Sequence, residues 1–95
     1  MNGKEFLENK IVCLKQLRLS KWQLIWNKEV ELAYILKIEQ PAVDEVELKG
    51  SFDPEHLSKI KSVVKQNMSM VSAEIQQAQL YINMLDEIIA DLEKQ

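Results

Sequence analysis

Residues 53–92 decide the fold, and they read DPEHLSKIKSVVKQNMSMVSAEIQQAQLYINMLDEIIADL. Asp53 can cap the exposed N–H groups of a helix, and Pro54 suits the first helical position, where no N–H donor is needed. From Met68 onward the apolar residues are alternately three and four positions apart, which is typical of a heptad seam. The seam residues are Met68, Val71, Ile75, Ala78, Ile82, Leu85, Ile89 and Leu92. We therefore predict a helix over about 54–93, or 53–94 with its flanking residues, that packs along this seam against another helix.

The regular spacing is interrupted once, between Ile60 and Met68. Ile60, Val64 and Met68 are separated by two successive steps of four. Such a stutter locally unwinds a coiled coil. It indicates either a local change of supercoil, which we favour, or an adaptable methionine surface for a partner.

A first helix can begin at Asn2 or Gly3, and we predict that it spans about 3–38. It should end there because Pro41 follows, and the residue before a proline avoids the helical conformation. Ser20 and Gln23 match a capping box that could break this helix in its middle. Since neither glycine nor proline accompanies that pattern, we favour a continuous helix.

The segment 39–52 is acidic and rich in turn-forming residues, and we predict that it is a linker. Within it, residues 42–49 could form a short helix, with acids early, a lysine late and Gly50 past the end. They could equally be extended around Val46 and Leu48. We favour a loop that contains a short helical turn.

The charge distribution predicts how the two helices pair. Residues 1–21 carry five basic and two acidic side chains, a net charge of +3, whereas residues 73–95 carry one basic and five acidic side chains, a net charge of −4. Two antiparallel helices would place these oppositely charged ends side by side. We therefore predict a single all-α domain over 1–95, an elongated antiparallel helical hairpin. Because two helices enclose only a small core, we expect a four-helix bundle completed by dimerisation or by a partner.

The first helix has a broader apolar surface than a two-stranded coil requires. Its candidate partner or oligomer interface consists of Leu19, Trp22, Trp26, Val30 and Ala33. The two tryptophans could be core or self-association anchors, contacts for another protein, or an amphipathic membrane surface. The first reading is favoured, and the acidic Glu29 and Glu31 nearby weaken the membrane reading.

No residue pattern indicates a chemical site. His56 is the only histidine and lacks further ligands at helical spacing, so a metal or acid–base role is not indicated. Cys13 is the only cysteine, which excludes an internal disulfide and a cysteine zinc cluster. With two glycines in the chain, glycine-rich phosphate loops are excluded as well. We expect no enzyme activity, no catalytic residue, no cofactor and no metal.

Composition narrows the functional classes further. The net charge is −3 and the sequence pI is about 5.2, which argues against nucleic-acid binding. No apolar run has the length of a membrane span, and the start of the chain does not resemble a signal sequence, so we expect no transmembrane segment and a cytoplasmic location.

Three functional hypotheses follow. The first is a non-enzymatic protein-binding module, a small cytoplasmic helical chaperone, adaptor or inhibitor that acts through helix–helix association, as a homodimer or in a hetero-complex. The alternative is a structural, self-assembling coiled-coil or four-helix-bundle dimer. A remote alternative, a helical DNA-binding regulator, needs the break at Ser20 and a denser basic helix than this sequence contains.

Overall fold

The chain folds into two antiparallel helical arms. The computed structural model describes residues 2–50 and 52–95, and its elements are α1 (Gly3–Tyr34), a π-helical turn (Ile35–Glu39), α2 (Gln40–Lys49) and α3 (Pro54–Glu93). Helical structure is continuous from Gly3 to Lys49, so α1, the π turn and α2 together form the first arm, and α3 forms the second. The molecule measures 70 × 18 × 16 Å. The predicted all-α, elongated helical hairpin is confirmed.

The first arm begins at the predicted cap and passes Ser20 without a break. The Oδ1 atom of Asn2 accepts a hydrogen bond from the N–H of Glu5 at 2.8 Å. The hydroxyl of Ser20 donates to the carbonyl of Leu17 at 2.7 Å, a bond within the helix rather than a cap. The continuous helix was the favoured interpretation, and the break that a DNA-binding regulator would require is not there.

The first arm continues beyond the predicted end near Ile38, because the chain accommodates Pro41 in a different way. A proline within a helix lacks the N–H that would bond to the carbonyl four residues earlier, here Lys37, and its ring collides with that carbonyl. The π turn contains Lys37 and inserts an extra residue into the helix, with the N–H of Gln40 bonded to the carbonyl of Ile35. The helix is wider at this point, and Pro41 then takes an early position in α2.

The turn between the arms is therefore much shorter than the acidic linker predicted over 39–52. The first arm ends at Gly50, whose φ of 62° is in the left-handed region, and the N–H of Gly50 donates to the carbonyl of Glu47 at 3.2 Å. The second arm begins at Asp53, where Oδ1 accepts from the N–H of Glu55 at 2.9 Å, as predicted for this cap. Residues 42–49 are helical throughout, so the favoured loop with a short helical turn is wrong and the short-helix alternative is right.

The core is a single layer between the arms. Five buried residues come from α3, and in the described residues the first arm adds Ile25 and Ile35. Ile25, Ala78 and Ile82 form one cluster, against which Trp22 and Ile75 pack. The α3 contribution is Val71, Ala78, Ile82, Leu85 and Ile89.

Ion pairs connect the oppositely charged ends of the two arms, in agreement with the antiparallel arrangement. The Nη1 atom of Arg18 lies 2.7 Å from Oδ1 of Asp86, and Nζ of Lys15 lies 3.5 Å from Oε1 of Glu93. At the other end of the hairpin, Lys61 of α3 reaches Glu47 of α2 at 2.7 Å. These surface pairs contribute about 0–1 kcal/mol each. They therefore favour the antiparallel orientation of the arms but add little to the stability of the fold.

Candidate protein-binding surfaces

The seam residues of α3 are used inside the hairpin. Five of them are buried, and the other three, Met68, Ile75 and Leu92, are half-buried. Ala78 and Ile82 share a cluster with Ile25 of α1. The surface that remains for other molecules therefore lies on the flanks and backs of the two arms.

The tryptophan face, as we call Leu19, Trp22, Trp26, Val30 and Ala33, runs along α1. The rings of Trp22 and Trp26 stack with centroids 6.4 Å apart and an angle of 24° between their planes. Trp22 packs against the buried cluster, whereas Trp26 remains 51% exposed. Leu19 and Val30 are exposed, and Ala33 is half-buried. The stack thus connects the core to a patch of apolar surface.

An open groove of about 490 Å³ lies beside the π turn, on the side of the hairpin that includes Met70. The groove is mostly apolar, with Tyr34, Ile35 and Met70 among its lining residues. Lys28 stands at its edge, where Nζ lies 2.9 Å from Glu74 and 3.0 Å from Glu31. Its polar lining residues are Lys28, Glu31, Glu39, Asn67 and Glu74, together with the hydroxyl of Tyr34.

The electrostatics of this edge are those of an ion-pair cluster. Nζ of Lys28 donates to the carboxylates of Glu74 and Glu31, and these hydrogen bonds hold the pKa of the Lys28 ammonium above its ordinary value of 10.5. The charged form is therefore the one that the fold favours. On the same side of the hairpin, the ammonium of Lys21 lies 4.7 Å from the ring centroid of Tyr81.

A second apolar stripe on α3 was missed by the sequence reasoning. It lies outside the heptad seam, and we call it the outer stripe. Its members Met70 and Gln77 border grooves that residues of the first arm also line. Its large members, Met70, Leu80 and Met84, are all exposed, with Leu80 at 64%. Its spacing again alternates three and four, and this repeat is the signal that could have found it. The outer stripe consists of Met70, Ala73, Gln77, Leu80 and Met84.

Cys13 and His56, the two residues considered as catalytic or metal-binding candidates, lie on different helices. Cys13 is exposed on α1, and His56 is exposed in the first turn of α3. Across residues 2–50 and 52–95, no group of three or more His, Cys, Asp or Glu side chains is placed to hold a metal ion. In the same described ranges, no helix combines the length and the apolar character that crossing a membrane requires.

Comparison of the chain with protein-family models, curated proteins and solved structures gives no match.

Proposed function

We propose that this chain is a non-enzymatic protein-binding module, a small cytoplasmic chaperone, adaptor or inhibitor that packs a helix of another protein against its tryptophan face. The observation that carries the proposal is the Trp22–Trp26 stack, in which the Trp22 ring packs against the core and the Trp26 side chain is about half exposed to solvent. Tryptophan is the side chain most enriched among residues that dominate binding energy at protein interfaces.

The stack prepares Trp26 for binding. Its ring is already held against Trp22, so less side-chain freedom is lost when a partner covers it. The exposed neighbours Leu19 and Val30 lie seven residues before Trp26 and four residues after it, which places them on the same side of the helix. Together they offer a stripe that suits the apolar face of an amphipathic helix.

The surroundings of the stripe have the polar rim of a protein interface. Lys15, Gln23 and Glu29 are exposed and lie three or four residues from members of the tryptophan face, the spacing of neighbours on a helix surface. A ring of polar side chains around an apolar centre is the usual composition of such interfaces. The mixture of charge signs favours a partner helix that is itself amphipathic over a strongly charged surface.

Site-specific photocrosslinking in native cells tests the proposal. A photoreactive phenylalanine analogue is placed at Val30, and a matched analogue is placed at Leu48, which is apolar, 89% exposed and far along α2. We expect one defined protein adduct from position 30 and none from position 48.

The same adduct should then depend on the tryptophan. Trp26→Ser should reduce its yield at least about tenfold, the equivalent of 1.4 kcal/mol, whereas Phe6→Ser, which removes an exposed aromatic side chain near the start of α1, should leave it unchanged. Equal adducts at the two positions, or an adduct insensitive to Trp26→Ser, would reject the tryptophan face as the binding surface.

A further inference from the structure

We propose that a second copy of this chain packs antiparallel on the outer stripe of α3, which produces a symmetric dimer centred between Gln77 and Leu80. The two surfaces share no residue, so the dimer does not depend on the proposed function, although Val30 of the tryptophan face and Met70 of the outer stripe line one groove. Its occupant is inferred from charge, spacing and surface area together.

The middle of α3 has almost no charge. Among the 20 residues 66–85, Glu74 is the only charged one, although 28% of the whole chain is charged. Glu74 is already paired with Lys28 at 2.9 Å. A helix back that faces water usually carries lysines and glutamates, whereas the centres of protein interfaces are depleted of charge. The composition of this segment is therefore that of a covered surface.

The outer stripe has the geometry of a helix-packing seam. Its members recur at steps of three, four, three and four, the same repeat that packs the other side of α3 against the first arm. Methionine and leucine provide large apolar contacts, and Ser69, Gln76 and Asn83 border the stripe at intervals of seven. A seam of this kind is satisfied by another helix lying along it.

The charges at the two ends of α3 identify an antiparallel copy as the occupant. Residues 54–65 carry three lysines against Glu55, a net charge of +2, whereas residues 86–95 carry four acids against Lys94, a net charge of −3. An antiparallel copy in the register given below places residues 62–65 beside residues 92–95 of the second copy, so that Lys65 approaches Asp91, whereas a parallel copy would place Glu87 and Asp91 beside the same acids of the second copy. In the described part of the chain, Lys65 and Asp91 have no ion-pair partner and are available for this pairing.

The antiparallel arrangement also determines which residues of the two copies face each other. Two-fold symmetry about the point between Gln77 and Leu80 brings Gln77 opposite Leu80 of the second copy. It also brings Ala73 opposite Met84 of the second copy, which pairs a small residue with a large one. Met70 is opposite Glu87 of the second copy, at the border between the apolar centre and the charged end, and Glu74 is opposite the uncharged Asn83.

The exposed area agrees with a dimer. The hairpin exposes 7182 Å², whereas a compact protein of 11.1 kDa exposes about 5,700 Å². The excess is about 1,500 Å², and a stable interface buries about 800 Å² on each partner. The thin hairpin therefore has enough surplus surface for a dimer interface along α3, with the tryptophan face left over.

Sedimentation equilibrium of the full chain tests the dimer. We expect twice the chain mass of 11.1 kDa at micromolar concentration. Leu80→Glu should weaken dimerisation about thirtyfold or more, because it places a carboxylate at the centre of an apolar contact. The matched control Leu48→Glu, at an exposed site on α2, should leave the dimer intact, as should Trp26→Ser. A helical wild-type monomer at all concentrations, or a dimer dissociated by Trp26→Ser but not by Leu80→Glu, would overturn the proposal.

Disulfide trapping tests the orientation and remains informative if Leu80→Glu fails to fold. In a Cys13→Ser background, a cysteine at position 77, close to the symmetry axis, should oxidise rapidly to a covalent dimer. A cysteine at position 65, far from the axis, should not, because an antiparallel copy holds the two sulfurs well beyond the distance of a disulfide. Efficient trapping at 65 would show a parallel pair, and a heterologous protein trapped at 77 in place of the second copy would also contradict the proposal.

Discussion

Replacing Ile82 by alanine should be the most damaging conservative change to the hairpin. Ile82 is 1% exposed, the most deeply buried side chain of the seam, and it contacts the first arm through its cluster with Ile25. The substitution removes apolar atoms from the only layer of side chains that separates the two arms. Alanine is also a better helix former than isoleucine, so any loss of stability comes from packing and not from helix propensity.

The expected magnitude follows from the depth of the core. Isoleucine-to-alanine changes at fully buried sites cost about 2–5 kcal/mol, with the larger values where the cavity cannot collapse. Here the layer is one side chain deep and the molecule is only 16–18 Å thick, so the arms can move together. We therefore expect a loss near the lower limit, about 2–3 kcal/mol. Against a total stability of about 5–15 kcal/mol for a small domain, this is a large fraction.

Urea denaturation followed by far-UV circular dichroism gives the free energy of unfolding. The matched control is Ile60→Ala, in the same helix but outside the heptad seam and 37% exposed, which should cost less than about 1 kcal/mol. The midpoint should be measured at two protein concentrations, because a dimer makes stability depend on concentration. Combining Ile82→Ala with Ile25→Ala should depart from additivity by at least about 0.5 kcal/mol, since the two side chains share a cluster.

Equal losses of stability from Ile82→Ala and Ile60→Ala would refute this prediction. That result would mean that the seam does not form the contact between the arms. Additive losses from Ile25→Ala and Ile82→Ala would contradict a direct energetic coupling between these two residues, but they would not contradict the packing role of the seam.

Three further predictions test the ends and edges of the hairpin. A double-mutant cycle of Arg18→Ala and Asp86→Ala should give a coupling energy of about 0.5–1 kcal/mol that decreases with added salt, and a coupling of zero would show that the short contact contributes nothing to stability. Because the folded state raises the pKa of Lys28, the stabilisation that this group provides is fully present below its ordinary pKa of 10.5 and is lost as pH rises through the folded value. Raising the pH from about 9 to about 12 should therefore lower the free energy of unfolding of the wild type more than that of Lys28→Met, as measured by urea denaturation. Equal losses in the two proteins would contradict this linkage. Gly50→Ala should cost about 1 kcal/mol because of the left-handed backbone at that position, whereas Gly3→Ala in the first turn of α1 should be neutral or stabilising, both measured by urea denaturation.

The second arm could be predicted closely from the sequence because its signals are local. Asp53 and Pro54 lie next to the helix that they begin, and the apolar spacing from Met68 onward needs only the geometry of one helix. The end of the first arm could not be predicted in this way. Pro41 normally stops a helix, and nothing in residues 35–39 identifies a π turn. Helix α2 is supported by contacts with α3, including the half-buried Val43 and the ion pair between Glu47 and Lys61, and these depend on the tertiary fold.

The tryptophan pair shows the same limit at the candidate surface. Its four-residue spacing indicates that both rings lie on one side of α1, and the rings do stack. Which ring meets the core depends on the rotation of the first arm about its axis, and that rotation is set by packing along the whole hairpin. The outer stripe is a different case. Its spacing and its lack of charge are both readable in residues 66–85, although the heptad seam on the same helix has the stronger apolar pattern.

The π turn has a consequence for the alignment of the arms. Residues 35–43 of the first arm point inward at two successive steps of four, and residues 60–68 of α3 contain the two steps of four that form the stutter. The two irregular segments meet, since Val43 lines the same groove as Val64 and Met68. A hairpin with uniform heptads could slide by seven residues and recover similar contacts. Here any such slide would place segment 35–43 or segment 60–68 against a regular heptad of the other arm. The pairing of the two irregular segments therefore favours one axial alignment of the arms. The tryptophan face and the outer stripe are thereby held at fixed heights along the molecule.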